Sequence, residues 1–493
     1  MNYQRATGVL CHISSLPGKY GIGSLGKEAY RFAKKLVKSG VKYWQVLPLV
    51  QTGFGDSPYS SVSCDSGNPY FIDLDDLAKQ GLLTKEDLKE AEQKGEIDYG
   101  TLYRERFLIL RKAFSRFFFD DETFREFIKS GVAEDYSLFM TAKTVYGGSF
   151  VNWEIPLRDR KAESLEKLRT DYHEEYLFWQ FLQYEFWKQW FALKDYCNQI
   201  GLKIIGDIAL YVAYDSADVW ANPDLFKLDK KLRPEKVAGV PPDYFSATGQ
   251  LWGNPVYDWK EHKKDGYAWW KRRLQSALKT YDLIRIDHFR GLERYYEIPY
   301  GAKTAETGVW KDGPKDDIFE GIDKEVIIAE DLGVVDDGVK ALLEKTGFPG
   351  MKVLLFAFDG NPENPFLPKN ISENSVCYTG THDNDTVAGY IRSLSAEEFI
   401  LLRSRIAATL AECRIYLSLG GRGERFPEAF VRLALSSKAR LAILPVQDIL
   451  GYDNRARMNE PGTLGGNWTF RLEKQPDAIV MKKLKKMNKV YRR

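Results

Sequence analysis

Leu283-Ile284-Arg285-Ile286-Asp287 is a short, β-branched run that stops on a carboxylate. Runs of the same kind recur along the whole chain. Before it stand Gly8-Val9-Leu10-Cys11-His12, Tyr43-Trp44-Gln45-Val46-Leu47-Pro48 and Lys203-Ile204-Ile205-Gly206-Asp207. After it come Val326-Ile327-Ile328-Ala329-Glu330, Met351-Lys352-Val353-Leu354-Leu355-Phe356, Val376-Cys377-Tyr378-Thr379 and Ala442-Ile443-Leu444-Pro445-Val446-Gln447-Asp448, which makes eight. Parallel strands buried on both faces read as near-continuous apolar runs of this length. Segments with helical patterning lie between them, at 27–40, 268–279, 336–346 and 426–439. Eight strands alternating with helices predict an α/β chain folded as a (β/α)8 TIM barrel.

Two connections are too long for a plain barrel. Residues 74–200 are rich in helix formers, with Phe107, Leu110, Phe114 and Phe117 near the helical period, and predict a helical insertion after the second strand. Residues 209–265 are dense in Gly, Pro, Asn and Asp, which is loop chemistry. Tyr244, Phe245, Trp252, Tyr257 and Trp259 within that segment suit an insertion that covers a ligand site. The expected organisation is therefore one catalytic barrel over 1–493 with two insertions and no C-terminal β-domain. The basic tail 481–493 reads as the solvated face of a last helix.

Composition narrows the function classes. The chain has 493 residues, 44% hydrophobic and 28% charged, an ordinary globular balance. Lys plus Arg is 71 and Asp plus Glu is 69, so the net charge of +2 argues against a nucleic-acid partner. No apolar run is long enough to cross a bilayer, so no membrane partner is expected. The first 15 residues lack the pattern of a secretory signal. Five cysteines, odd in number and never in a CxxC pair, suit reduced thiols of a cytoplasmic protein, with neither disulfides nor a zinc site. Aromatics at 14% serve the core first, and the surplus suits stacking on flat apolar faces such as sugar rings.

In a barrel of this kind the C-terminal ends of the strands build the site. Here those ends carry Asp207, then Arg285 and Asp287, then Glu330 and Asp331, then Thr379-Gly380-Thr381-His382-Asp383-Asn384-Asp385, then Asp448. His12, His288 and His382 fall at such ends too. Arg285 and Asp287 are two apart and share a face of their strand. A guanidinium beside a carboxylate favours the ionised form and is expected to lower its pKa, which suits a nucleophile. The bland alternative is an Arg–Asp pair that only fills the polar mouth. Glu330 is expected near the same mouth, with its pKa raised by burial and neighbouring charge, as a general acid requires. Two such carboxyls about 5–5.5 Å apart are what a retaining glycosidase-type mechanism needs. His382 and Asp383 supply a donor and an acceptor for sugar hydroxyls, or form no more than a loop turn.

Arg285-Ile-Asp287-His288, Ile328-Ala-Glu330-Asp331 and Thr381-His382-Asp383-Asn384 resemble, in that order, signature blocks of the α-amylase superfamily. Narrower segments closely resemble 4-α-glucanotransferases, the amylomaltase or disproportionating-enzyme family. These are His12-Ile13-Ser14-Ser15-Leu16-Pro17-Gly18, Gly55-Asp56-Ser57-Pro58-Tyr59, Gly239-Val240-Pro241-Pro242-Asp243-Tyr244-Phe245-Ser246 and Gly249-Gln250-Leu251-Trp252-Gly253-Asn254-Pro255. Asn459-Glu460-Pro461-Gly462-Thr463 and Asn467-Trp468 fit as well.

The resemblance implies an enzyme that transfers an α-1,4-glucan segment to the 4-hydroxyl of an acceptor glucan or glucose, without cofactor or metal. Asp287 would be the nucleophile, Glu330 the acid/base and Asp383 the transition-state stabiliser. Asp207, Arg285, His288 and His382 would line the same region. Tyr59, Asp243, Phe245, Gln250 and Trp252 would contact flanking glucose units, and Asn459 would bind the glucan. Its partners would be maltooligosaccharides and α-1,4-glucans, with the oligomeric state left open. Departures from the pattern are Ala209, Gln51, Phe54 and Phe470, none of them a catalytic acid. A hydrolase of the same superfamily shares the acid motifs, and the loop motifs favour transfer over it. A non-catalytic glucan-binding protein would lack one of the three acids, and all three are present. A metal-dependent barrel enzyme would need ligand spacing that is not seen.

Overall fold

The computed structural model describes residues 5–53, 55–242, 246–333, 335–423, 425–463 and 465–493. Strand Leu283–Ile286 pairs in parallel with Lys203–Ile208 on one side and Ile327–Ala329 on the other. The same rule carries round the ring. Ala6–Leu10 pairs with Tyr43–Gln45, and Gly350–Val353, Ser375–Tyr378 and Leu441–Pro445 follow Ile327–Ala329. Leu441–Pro445 returns to Ala6–Leu10 and closes the barrel. All eight strands coincide with the eight apolar runs. The chain is a (β/α)8 barrel.

The strands form because their side chains are taken up on both faces. Ile284, Ile286, Ile327 and Ile328 are fully buried. The helix Lys27–Lys38 buries Ala29, Phe32, Ala33 and Leu36, an i, i+3, i+4, i+7 stripe against the barrel. Helix Asp337–Thr346 starts where the Asp336 side chain accepts from the Val339 amide, and it ends at Gly347 with φ of 72°, a left-handed residue that favours glycine.

Helices from Leu74–Lys79 to His173–Gln199 lie between the second and third strands. The last of these is 27 residues long and buries Phe178, Phe181, Phe186 and Trp190 completely. The segment read as a loop insertion contains regular structure. Lys236–Val240 and Gln250–Pro255 are strands of a four-stranded antiparallel sheet, completed by Arg294–Pro299 and Val309–Asp312. A small cluster of Val237, Tyr296, Ile298 and Ala305 packs it. Both contributing segments leave the C-terminal ends of the third and fourth barrel strands, so the sheet stands beside the mouth. Among the described residues no strand follows Pro445, and the last helix is Ala478–Val490. Asn488 on it accepts from Thr7 at 2.7 Å and donates to the Ser39 carbonyl at 2.9 Å, tying it to the first strand. Among the described residues no helix is long and apolar enough to cross a membrane.

Candidate active site

Register places the central charges. Asp207 on the third strand lies directly beside Arg285 on the fourth. Arg285 is 3% exposed and divides its guanidinium between two carboxylates. Nη1 donates to Asp207 Oδ2 at 2.6 Å and Nη2 donates to Asp287 Oδ1 at 2.9 Å. Its Nε points at the Met351 sulfur, 3.3 Å away. Asp207 Oδ2 also accepts from the Tyr59 hydroxyl at 2.8 Å. Burial pushes Asp207 up to about 7 against the pull of Arg285. Asp287 departs from the sequence expectation. Burial raises its pKa, Arg285 lowers it and Asp383 raises it again, and the outcome lies above the ordinary aspartate value. The reason is burial, which outweighs the Arg285 cation that the spacing in sequence sets beside Asp287.

Glu330 is held by backbone. Its Oε2 accepts from the His288 amide and its Oε1 from the Leu332 amide, both at 2.7 Å. His288 has φ of 51°, a left-handed conformation that costs a non-glycine residue about 1–2 kcal/mol. That turn aims its amide at Glu330. Burial drives Glu330 up to about 8, with the Asp287 charge adding to the rise and Arg285 and the two amides opposing it. A carboxyl held there keeps its proton at neutral pH.

Asp383 stands on the loop after the seventh strand, with its side chain 42% exposed to the mouth. Asn459 Nδ2 donates to its Oδ1 at 2.7 Å, and His382 Nε2 lies 3.3 Å from its Oδ2. Arg457 Nη2 donates to its carbonyl at 3.0 Å. His382 stacks on Tyr59 with ring centroids 5.0 Å apart. Trp468 closes on both rings, at 5.9 Å from Tyr59 and 5.8 Å from His382. Tyr59, Asp207, Arg285, Asp287 and the His382–Asp383 pair with Asn459 thus form one linked constellation.

A family profile described as 4-alpha-glucanotransferase matches residues 11–476. The 4-alpha-glucanotransferase of Clostridium butyricum is 46% identical over 495 residues, covering 98% of each chain. That of Thermus thermophilus is 46% identical over 486 residues, covering 96% of this chain and 95% of its own. Among solved structures, an amylomaltase from Streptococcus agalactiae in complex with acarbose superimposes with a TM-score of 0.92 at 37% identity. That match covers 99% of this chain and all of the other. This chain belongs to the 4-alpha-glucanotransferase family.

The remaining site residues of this 4-alpha-glucanotransferase family member form a second wall. Gln250 and Trp252 sit on the strand Gln250–Pro255 of the small sheet. Trp252 Nε1 donates to Gln250 Oε1 at 3.1 Å, and its ring meets His288 edge-on at 4.8 Å. Burial lowers His288 to about 4 and lowers His382 as well, so both rings are neutral at pH 7. They offer hydrogen bonds to hydroxyls and no charge. Asp243 and Phe245 lie outside the described residues, as does Phe54.

Two of the strand-end residues face elsewhere. His12 Nδ1 accepts from the Leu47 amide at 3.2 Å. Asp331 accepts from the Met351 amide at 2.6 Å and pairs with Lys352, so it holds the sixth strand. Arg457 was missed by sequence reading, because an arginine in a loop carries no periodic or spacing signal. Trp468 was quoted only as part of a motif. Its φ of 65°, unusual for a bulky residue, is a structural signal alone. Among the described residues no group of three or more His, Cys, Asp or Glu is arranged to hold a metal.

Proposed function

We propose that this chain is a 4-alpha-glucanotransferase that works by retaining double displacement on maltooligosaccharides and α-1,4-glucans. Asp287 attacks the anomeric carbon of the bound glucan. The bond from that carbon to the departing 4-oxygen breaks as Glu330 gives its proton to that oxygen, leaving a β-glucosyl ester on Asp287. An acceptor then enters. Glu330 takes the proton of its 4-hydroxyl, the acceptor oxygen attacks the anomeric carbon, and the ester bond breaks to free Asp287. Asp383 accepts hydrogen bonds from hydroxyls of the distorted sugar, and Tyr59 and His382 stand beside it.

The observation that carries this reading is the contrast between the two acids. Asp287 touches the Arg285 cation at 2.9 Å, whereas Glu330 accepts from the His288 and Leu332 amides and is pushed up to about 8. One group is steered toward attack and the other toward proton donation. Gln250 and Trp252, with Asp243 and Phe245 of the same segment, supply the subsites that let a glucan hydroxyl outcompete water. The chain acts as one barrel unit, with the helices of 74–200 and the segment 209–265 as insertions. Its five unpaired cysteines suit a cytoplasmic location.

The deciding experiment incubates the protein with maltotriose, counts reducing ends and resolves chain lengths. Glucose plus a ladder of longer maltodextrins, at nearly constant reducing ends, is the expected result. Reducing ends that rise as fast as bonds break would make this protein a hydrolase.

A further inference from the structure

Sequence reads Asp448 as a strand end, but the eighth strand stops at Pro445 and Asp448, 3% exposed, lies in the short helix Val446–Leu450 that follows it. Its two oxygens reach the two feet of one loop. Oδ2 accepts from the Thr379 hydroxyl, where the seventh strand stops. Oδ1 accepts from the Val387 amide at 2.8 Å, the first residue of the helix Val387–Ser393. The loop between those feet carries His382 and Asp383.

A small cleft, lined among others by Gly380, Asn384, Thr386, Gln447 and Asp448, lies between that loop and the segment that follows the eighth strand. Polar contacts pin the loop at its feet, its turn and its tip. Asn384 Oδ1 accepts from the Thr381 amide at 2.8 Å and holds the turn within the loop. Asn459 and Arg457 hold its tip through Asp383. Asp448 alone among these joins both feet.

We propose that Asp448 is a positioning residue that sets the catalytic placement of Asp383 by clamping both feet of its loop. The inference rests on the reading of Asp383 as transition-state stabiliser. Loss of the clamp leaves the subsites intact and shifts Asp383 from the distorted sugar, so turnover falls while substrate affinity holds. A misplacement of about 1 Å at such a group costs on the order of 10²-fold.

The test is a double-mutant cycle with glucose release from maltotriose as readout. Asp448→Asn and Thr379→Val are each made in the parent and in Asp383→Asn, and melting curves confirm folding. Expected in the parent is a fall in kcat of roughly 10- to 100-fold with KM within about threefold. In Asp383→Asn the same changes should cost less than about threefold, because the group they position is already gone. An equal factor in both backgrounds, or a folded Thr379→Val with parental kcat, overturns the clamp. Should Asp448→Asn fail to fold, Thr379→Val, which removes a single hydroxyl, decides alone. Asp383→Asn at parental activity would instead sink the reading of Asp383 itself.

Discussion

The amide of His288 donates to Glu330 at 2.7 Å, and His288 is the residue after Asp287. One peptide unit therefore separates the Asp287 carboxylate from the donor that holds Glu330. Displacing either acid moves the other, and the left-handed φ of 51° at His288 is the conformation that makes this link.

Asp287→Asn keeps this geometry and removes the carboxylate proposed to attack. Transfer activity should be lost while the melting temperature stays close to the parent, because the amide still fits beside Arg285. Assaying maltotriose transfer and thermal unfolding on the same preparation checks this. A folded variant with near-parental activity would exclude Asp287 as nucleophile.

Glu330→Gln should cost roughly 10²–10⁴ in rate with maltodextrins. A maltosyl fluoride needs no proton to leave, so formation of the glycosyl-enzyme from it should persist. Equal damage with both donors would refute the acid role. In the parent, Glu330 is pushed up to about 8, so it is protonated below that pH and ionised above. The kcat/KM profile should accordingly fall as pH rises through about 8, and in Glu330→Gln that alkaline limb should vanish.

Asn459→Ala removes the donor that meets Asp383 at 2.7 Å. A hydrogen bond to a charged group contributes about 1.5–3 kcal/mol, so a loss of roughly 10- to 100-fold in kcat/KM is expected. Steady-state kinetics on maltotriose measure it, and an unchanged kcat/KM would leave Asn459 without a role.

Trp252→Ala opens the wall against His288 and admits water beside the ester. The ratio of reducing ends formed to bonds broken should rise above the parent value. If that ratio stays constant, acceptor preference is set elsewhere.

Treatment with EDTA should leave transfer unchanged, since the carboxylate mechanism asks for no metal. Activity lost to the chelator and restored by calcium would contradict the cofactor-free reaction.

The barrel was readable because strands buried on both faces leave continuous apolar runs, as in Leu283–Ile286 and Ile327–Ala329. The small antiparallel sheet was not. Gln250–Pro255 keeps Leu251 and Trp252 exposed and contains Gly253, Asn254 and Pro255, which reads as turn chemistry. Its pairing with Lys236–Val240 across a bulge is long-range information that no local pattern carries. Within the site, strand alternation placed Arg285 beside Asp287. It could not place Asp207, which meets Arg285 through the register of two strands far apart in sequence; nor could it show how deeply Asp287 is buried, and burial is what turned its shift upward. Asp448 was visible as a charged strand end, but the two donors that give it meaning belong to a neighbouring strand and helix.

Ring closure has a bearing on how the protein is born. The first strand to leave the ribosome pairs with the eighth, and it stays half-paired until residue 445 has been made. By then all three acids have been translated, whereas Asn459 and Trp468 have still to be made. Asp383 has no amide on its Oδ1, and the rings of Tyr59 and His382 lack their third partner. The nascent chain thus carries a nearly complete barrel with an unfinished centre. A product clipped before Asn459 would lack the donor on Asp383, and its activity should fall by at least the factor expected for Asn459→Ala.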